Sequence, residues 1–218
     1  MGNKNLIITI EREYGSGGRI VGRKLAEELG LHFYDDEILK MASEKSAVGE
    51  EFFRLADEKA GNNLFHRLAG AKKADVFGKP SLKGDVTSPD NLFSRFIKTQ
   101  AMVMRELAEQ EPCVFVGRAA GYVLDQDEEI ENLVRIFVYA DRVRRVQRVM
   151  EVDCISEERA KKRIRKIENE RKNYYKYFTG NDWKNMKNYD LPINTTRLGL
   201  DETAELIKEY VKLRGYMK

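Results

Sequence analysis

The chain has 218 residues, 42% of them hydrophobic and 34% charged, a composition typical of one soluble globular domain with a substantial core. No apolar run approaches the roughly 20 residues that a membrane-spanning helix needs, and the start of the chain lacks a signal-peptide pattern. We therefore expect a cytoplasmic protein with no membrane partner. The formal net charge is only +3, but basic residues crowd between positions 142 and 176. Such a segment suits a polyphosphate or a nucleic acid, and a solvated helix face is the plainer alternative.

A strand, a glycine-rich turn and an amphipathic helix open the chain. The apolar run at 6–10 predicts the strand, and Gly15-Ser16-Gly17-Gly18 follows shortly after it. The helix predicted from Arg19 carries apolar residues at i, i+4 and i+8 and stops where a glycine can cap it. Glycines let backbone N–H groups approach an anion, and the helix adds the positive end of its dipole. This order predicts a nucleotide or phosphate site at Gly15, Ser16, Gly17 and Gly18.

The loop departs from the usual phosphate-loop pattern, in which a lysine reaches the β- and γ-phosphates and a Ser or Thr binds Mg²⁺. Gly18 stands where the lysine belongs, Arg19 stands where the hydroxyl residue belongs, and Arg12 replaces the leading glycine. Arg19 can supply the missing charge because a guanidinium binds phosphate well. It cannot supply the magnesium hydroxyl. A merely flexible loop is the alternative, and the flanking strand and capped helix disfavour it.

Strands and helices alternate through the rest of the chain. A second strand at 31–34 ends at Asp35 and Asp36, which could touch a metal or an acceptor or simply cap the next helix. Residues 37–108 are predicted to be a helical insert with a mobile loop at 69–87. Further strands are predicted at 113–116, 134–139 and 191–194, the last at a sheet edge because it contains a proline. The alternation implies an α/β fold, a doubly wound parallel five-stranded sheet flanked by helices.

Two basic helices are expected after the fourth strand. The first begins after Asp141, which can cap it, and the second begins after Ser156. On the second helix Ile164, Ile167 and Arg171 are spaced i, i+3 and i+7, so Arg171 follows the inward face. The aromatic residues at 174–183 fit either the packed foot of this segment or a surface for stacking on bases, and packing is favoured.

Three motifs in this order resemble the cytidylate-kinase-like family of nucleoside monophosphate kinases. They are residues 11–19, then Val114-Phe115-Val116-Gly117-Arg118, then Glu170-Arg171-Lys172 in the basic helix. The resemblance extends to Asn194-Thr195-Thr196, which is similar to the family's loop near the nucleotide base. The glycine string resembles a branch with a variant phosphate loop. The resemblance implies a P-loop kinase fold in one domain spanning 1–218, with the acceptor on the 37–108 insert and a lid at 153–186.

The resemblance also implies roles for three cations. In cytidylate kinases an Arg closes the third strand between two Asp residues and contacts the acceptor nucleotide. Here Arg118 is present, but Val116 and Ala119 stand at the flanking positions, so the device that reads cytosine is missing. A salt-bridged rim residue is the alternative role for Arg118. Lid arginines of the family neutralise the transferred phosphoryl group; Arg171 matches this pattern, and Lys176 replaces a typical Arg.

The favoured hypothesis is a phosphotransferase that moves the γ-phosphoryl of ATP to a small-molecule nucleotide acceptor. Arg19, Arg171 and Lys176 are its candidate catalytic cations, and Arg118 and Asp36 are its candidate acceptor residues. ATP is the expected cofactor, with Mg²⁺ expected from the resemblance but without identified ligands. A non-catalytic nucleotide-binding regulatory protein is the alternative, because the loop lacks both the lysine and the hydroxyl residue. A nucleic-acid-binding module on the 142–176 segment is disfavoured.

Overall fold

A single parallel sheet forms the centre of the molecule. The computed structural model describes residues 4–35, 38, 41 and 89–217, with the side chains of 89–96 left out. Among these residues the sheet has five strands in the order β2-β3-β1-β4-β5. The strands are β1 (Ile7–Arg12), β2 (His32–Tyr34), β3 (Cys113–Val116), β4 (Leu133–Tyr139) and β5 (Leu191–Asn194). The predicted parallel five-stranded sheet is confirmed, with β5 at an edge.

Seven helices are described around the sheet. They are α1 (Gly18–Leu29), α2 (Pro89–Gln110), α3 (Ala120–Leu124), α4 (Arg142–Asp153), α5 (Glu157–Thr179), α6 (Thr195–Leu198) and α7 (Leu200–Leu213), with a 3₁₀ turn at Met186–Asn188. Gly30 closes α1 in the left-handed conformation, and Ser156 precedes α5 as expected. Asp141 precedes α4, but its side chain makes no capping hydrogen bond. It accepts one from Asn194 Nδ2 at 3.1 Å instead.

Helices pack on both faces of the sheet, so the architecture is doubly wound. α1 and α7 pack on the face that contains Ile8, whereas α2 and α3 pack on the face that contains Phe115 and Phe137. α4 and α5 form a third cluster around Val146 and Ile164. This arrangement brings the turns that follow β1 and β3 to the carboxyl edge of the sheet, where α/β proteins bind ligands.

The predicted 37–108 insert lies outside the described residues except for Ile38, Met41 and α2. Asp36 and the loop at 69–87 are therefore not described. The aromatic residues at the end of α5 fall within the described part: Tyr175, Phe178 and Trp183 are buried in the core. These three aromatic residues therefore pack in the core rather than form a surface for bases. Within the described ranges, no helix combines the length and apolarity needed to cross a bilayer.

Candidate active site

The loop between β1 and α1 has a backbone that glycine adopts without strain. Gly15 has φ 80° and Gly17 has φ 90°. A Cβ atom at Gly15 would lie 2.8 Å from the carbonyl oxygen of Arg145, which is closer than atoms pack. The carbonyl oxygens of Gly15 and Gly17 accept hydrogen bonds from Arg148 and from the N–H of Val21. The loop is thus held closely against α4 at the start of α1, where backbone N–H groups lack helical partners.

Ser16 holds the loop in place through its hydroxyl and its carbonyl. The fully buried hydroxyl donates to the carbonyl oxygen of Glu13 at 2.9 Å. Its own carbonyl accepts from Thr195 Oγ1 at 2.7 Å. Asn194 caps α6 by accepting from the N–H of Thr196, so the 194–196 segment packs directly against the glycine loop. The backbone N–H of Ser16 also donates to the Glu13 carbonyl, at 3.3 Å, so Ser16 supports the loop through its side chain and its backbone.

A cavity of about 370 Å³ opens beside the glycine loop. Gly15, Gly17 and Gly18 line it together with four arginines, Arg12, Arg19, Arg148 and Arg171. The acidic residues that line it are Glu13, Asp35 and Asp153. Positive charge, glycine backbone and a helix start at one cavity provide the groups that bind a polyphosphate.

Arg171 points into this cavity from α5, as its spacing predicts. Its Nη1 donates to the carbonyl oxygen of Arg12 at 2.7 Å, and its guanidinium lies 5.5 Å from the ring centroid of Tyr14. Within the described part of the chain it has no carboxylate partner within salt-bridge distance. Burial, together with repulsion from Arg12 and Arg118, lowers the pKa of Arg171 to about 9. The group stays protonated at neutral pH, and an anion bound beside it would relieve this unfavourable environment.

Arg148 is a cavity residue that the sequence analysis did not single out. It lies on α4, and its Nη1 donates to the carbonyl oxygen of Gly15 at 2.7 Å. Burial, together with repulsion from Arg144, lowers its pKa. Arg148 precedes the buried Val149, and this position beside an apolar face could have distinguished it from the exposed cations of the same segment. Arg148 thus provides a cation beside a glycine loop that has no lysine.

Arg19 also lines the cavity, but it is paired. Its Nε lies 2.6 Å from Asp35 Oδ2, and Arg12 Nη2 lies 3.7 Å from Asp35 Oδ1. The structure therefore shows Asp35 paired with Arg12 of β1 and Arg19 of α1, a role that was not among those predicted for it. A phosphate that binds Arg19 would share it with this carboxylate.

Arg118 and Lys176 lie outside the described lining of the cavity. Arg118 follows β3 with φ 60°, and its guanidinium is 5.8 Å from the ring centroid of Tyr174. Because it contributes to the lowered pKa of Arg171, the two guanidiniums are electrostatic neighbours. Lys176 lies on α5 with an exposed side chain. The structure thus brings Arg19 and Arg171 to the glycine loop and leaves Lys176 apart.

The described residues do not fit a preformed Mg²⁺ site. No group of three or more His, Cys, Asp or Glu side chains within the described ranges is placed to hold a metal. The three carboxylates that line the cavity are already paired: Glu13 with Arg145 at 3.3 Å, Asp35 with Arg19, and Asp153 with Arg163 at 2.7 Å. The groups present do fit the phosphates of ATP, because the cavity is lined by cations and glycine backbone.

A parallel sheet in this strand order, with a glycine loop between β1 and α1, defines a P-loop kinase type of fold. The solved structure of an uncharacterized protein from Eubacterium ventriosum shares it, with a TM-score of 0.65 and 24% identity over 95% of this chain and 99% of that chain. Shikimate kinase from Bacteroides thetaiotaomicron has a TM-score of 0.50 and 12% identity, covering 95% of this chain and 98% of that chain.

The sequence matches the cytidylate kinase-like family over residues 7–197, and the chain belongs to that family. A cytidylate kinase of Methanopyrus kandleri is 27% identical over 212 residues, which cover 94% of this chain and 92% of that protein. The predicted family is therefore confirmed. Family and fold together support a phosphotransferase.

Proposed function

We propose that this protein transfers the γ-phosphoryl group of ATP to a nucleoside monophosphate. The observation that carries the proposal is the environment of Arg171. A half-buried guanidinium, repelled by Arg12 and Arg118, lines a cavity built on a glycine loop. Phosphoryl transfer depends on positioning and on neutralising charge at the transferred group. Arg171 is placed to supply that charge without a lysine in the loop.

In this proposal the two nucleotides bind on either side of Arg171. The backbone of Gly15–Gly18 and the side chains of Arg148 and Arg19 bind the phosphates of ATP. Arg118 orients the acceptor phosphate from the turn after β3, together with Asp36, which lies outside the described residues. Lys176 has a secondary role, because its side chain is exposed on α5 and does not line the described cavity.

Charge pairing disfavours nucleic acid as the partner of the basic segment. Many of its cations are neutralised by acidic neighbours within the same helix or the next. Lys162 Nζ lies 2.8 Å from Glu158, and Lys166 Nζ lies 3.8 Å from Glu170. A surface of alternating charge does not attract a phosphate backbone as an unpaired basic stripe does.

Two experiments in sequence test the proposal. A thermal-shift panel of nucleotides, with and without Mg²⁺, ranks ligands because those that bind the folded state stabilise it. A coupled ADP-release assay with ATP and each nucleoside monophosphate then measures transfer. Binding of ATP without turnover of any acceptor would favour the non-catalytic nucleotide-binding protein instead.

The turn after β3 leads to an expectation about which nucleoside monophosphate the protein accepts. Val116 and Ala119 are buried and cannot accept hydrogen bonds from a base through their side chains. We therefore expect less than about 100-fold discrimination between cytidine and uridine monophosphates, equivalent to about 2.7 kcal/mol. A larger preference for cytidine in kcat/KM would mean that another group reads the base.

A further inference from the structure

One buried carboxylate on β1 contacts two separate parts of the site. Glu11 is 7% exposed. Its Oε1 accepts from the backbone N–H of Ala119 at 2.9 Å, and its Oε2 accepts from Trp183 Nε1 at 3.1 Å. The first contact lies in the turn after β3, and the second lies in the segment that follows the lid helix α5. Both oxygens are engaged, so the carboxylate cannot rotate without losing a partner.

The turn after β3 is held in an unusual backbone conformation. Gly117, Arg118 and Ala119 have consecutive positive φ angles of 80°, 60° and 54°. Arg118 and Ala119 carry Cβ atoms, so both are strained in this left-handed region. Such strain persists only where the surroundings hold the backbone. The charge-assisted hydrogen bond from the Ala119 N–H to Glu11 is a contact that holds it.

The second contact fixes the foot of the lid. Trp183 is 1% exposed and packs edge-on against Phe137, with ring centroids 5.5 Å apart. The next residue, Lys184, pairs with Glu13 Oε1 at 2.5 Å. Glu11 of β1 and Glu13, one residue beyond the end of β1, thus hold neighbouring residues of the same segment. The contacts described for Glu13 go to Lys184 and to the α4 side of the site, whereas those of Glu11 reach the turn that carries Arg118.

We propose that Glu11 is a positioning residue that couples the orientation of Arg118 to the position of the lid. It supports the strained turn on one side and the indole of Trp183 on the other. A shift of the lid foot would reach the turn through this carboxylate. The inference rests on the proposed function for its consequence in catalysis, but the coupling itself is a property of the protein without ligand.

Three variants isolate the contacts. Glu11→Gln keeps the shape but sets an amide N–H against a donor, so one of the two hydrogen bonds must fail. Trp183→Phe removes the indole N–H and keeps an aromatic ring. Lys184→Met is the matched control, because it removes the ion pairs with Glu13 and Glu168 and the contact of the ammonium with the Trp183 ring, but keeps both hydrogen bonds of Glu11.

The first measurement is amide hydrogen exchange without ligand, in peptides that cover 117–121. We expect Glu11→Gln to raise exchange there by at least about tenfold, Trp183→Phe to raise it by a smaller factor, and Lys184→Met to leave it at the wild-type rate. An equal rise in the control, or no rise in Glu11→Gln, would show that Glu11 does not hold the turn. No rise in Trp183→Phe would overturn the coupling to the lid.

The second measurement separates the inference from the proposed function. With cytidine monophosphate as the probe, Glu11→Gln should raise the acceptor KM about tenfold and change the ATP KM less than twofold. Lys184→Met should leave both constants unchanged. If exchange responds as expected but no nucleotide is phosphorylated, the positioning role stands and the kinase proposal fails. An equal change in both KM values would contradict a role specific to Arg118.

Discussion

Replacing Arg171 with alanine removes a cation of α5 that lines the cavity beside the glycine loop. The side chain is half-buried, donates to the carbonyl oxygen of Arg12 and lies beside the ring of Tyr14. Loss of one preorganised donor to a developing charge costs about 2.7–4 kcal/mol of transition-state stabilisation. We therefore expect Arg171→Ala to lower kcat about 10²–10³-fold, with little change in the Kd of ATP.

The stability of Arg171→Ala should not fall together with its activity. The carbonyl oxygen of Arg12 loses a donor, which costs about 1–3 kcal/mol. However, the lowered pKa of Arg171 shows that its charge is unfavourable in the folded protein at any pH below about 9. Removing the charge relieves repulsion from Arg12 and Arg118. We expect the free energy of unfolding of Arg171→Ala, from urea denaturation at neutral pH, to be no lower than that of the wild type.

Steady-state kinetics with a coupled ADP-release assay measure the effect. Lys172→Ala is the matched control, because Lys172 is the next cation on α5 and is exposed to solvent. It should leave kcat within about twofold. Arg171→Lys should recover part of the rate, since a single ammonium cannot reproduce the guanidinium fork. A kcat for Arg171→Ala within twofold of the wild type would refute the role given to this residue.

Three further predictions concern the loop, the donor phosphates and the sheet edge. Gly17→Ala should lower the free energy of unfolding by about 2–4 kcal/mol, because it adds a steric overlap to backbone strain; Gly30→Ala, which has positive φ but open space, should cost about 1–2 kcal/mol. Arg148→Ala should raise the Kd of ATP about tenfold or more, measured by calorimetry, whereas Arg144→Ala on the exposed face should leave it unchanged. Burial opposes ionisation of Asp190, but hydrogen bonds from an arginine outweigh it and lower its pKa. Asp190→Asn should therefore cost about 1–3 kcal/mol above pH 4, and the difference should shrink as the pH falls through that lowered pKa.

Local patterns in the sequence were sufficient to predict the sheet and the glycine loop at which the candidate site begins. Short apolar runs such as Cys113–Val116 are typical of strands buried in a parallel sheet, and Gly30 marks the end of α1 directly. The inward face of α5 follows from the spacing of Ile164 and Arg171. These features depend on residues close together in the chain.

The remaining parts of the site depend on contacts between distant residues. Glu11 meets Ala119 and Trp183 across 108 and 172 positions, which no local pattern encodes. Arg148 faces the glycine loop because of how α4 packs beside β1. Asp141 was predicted to cap α4, but Asn194 from the neighbouring strand attracts its carboxylate. Tertiary packing decides whether the Asp141 carboxylate caps its own helix or accepts a hydrogen bond from Asn194.

The most direct measurement of the central claim is ADP formation from ATP and Mg²⁺ in the presence of each nucleoside monophosphate. The account predicts turnover that requires an acceptor and that falls at least about 100-fold in Arg171→Ala while ATP still binds. Tight binding of ATP by the wild-type protein, with no acceptor phosphorylated across the panel, would contradict it.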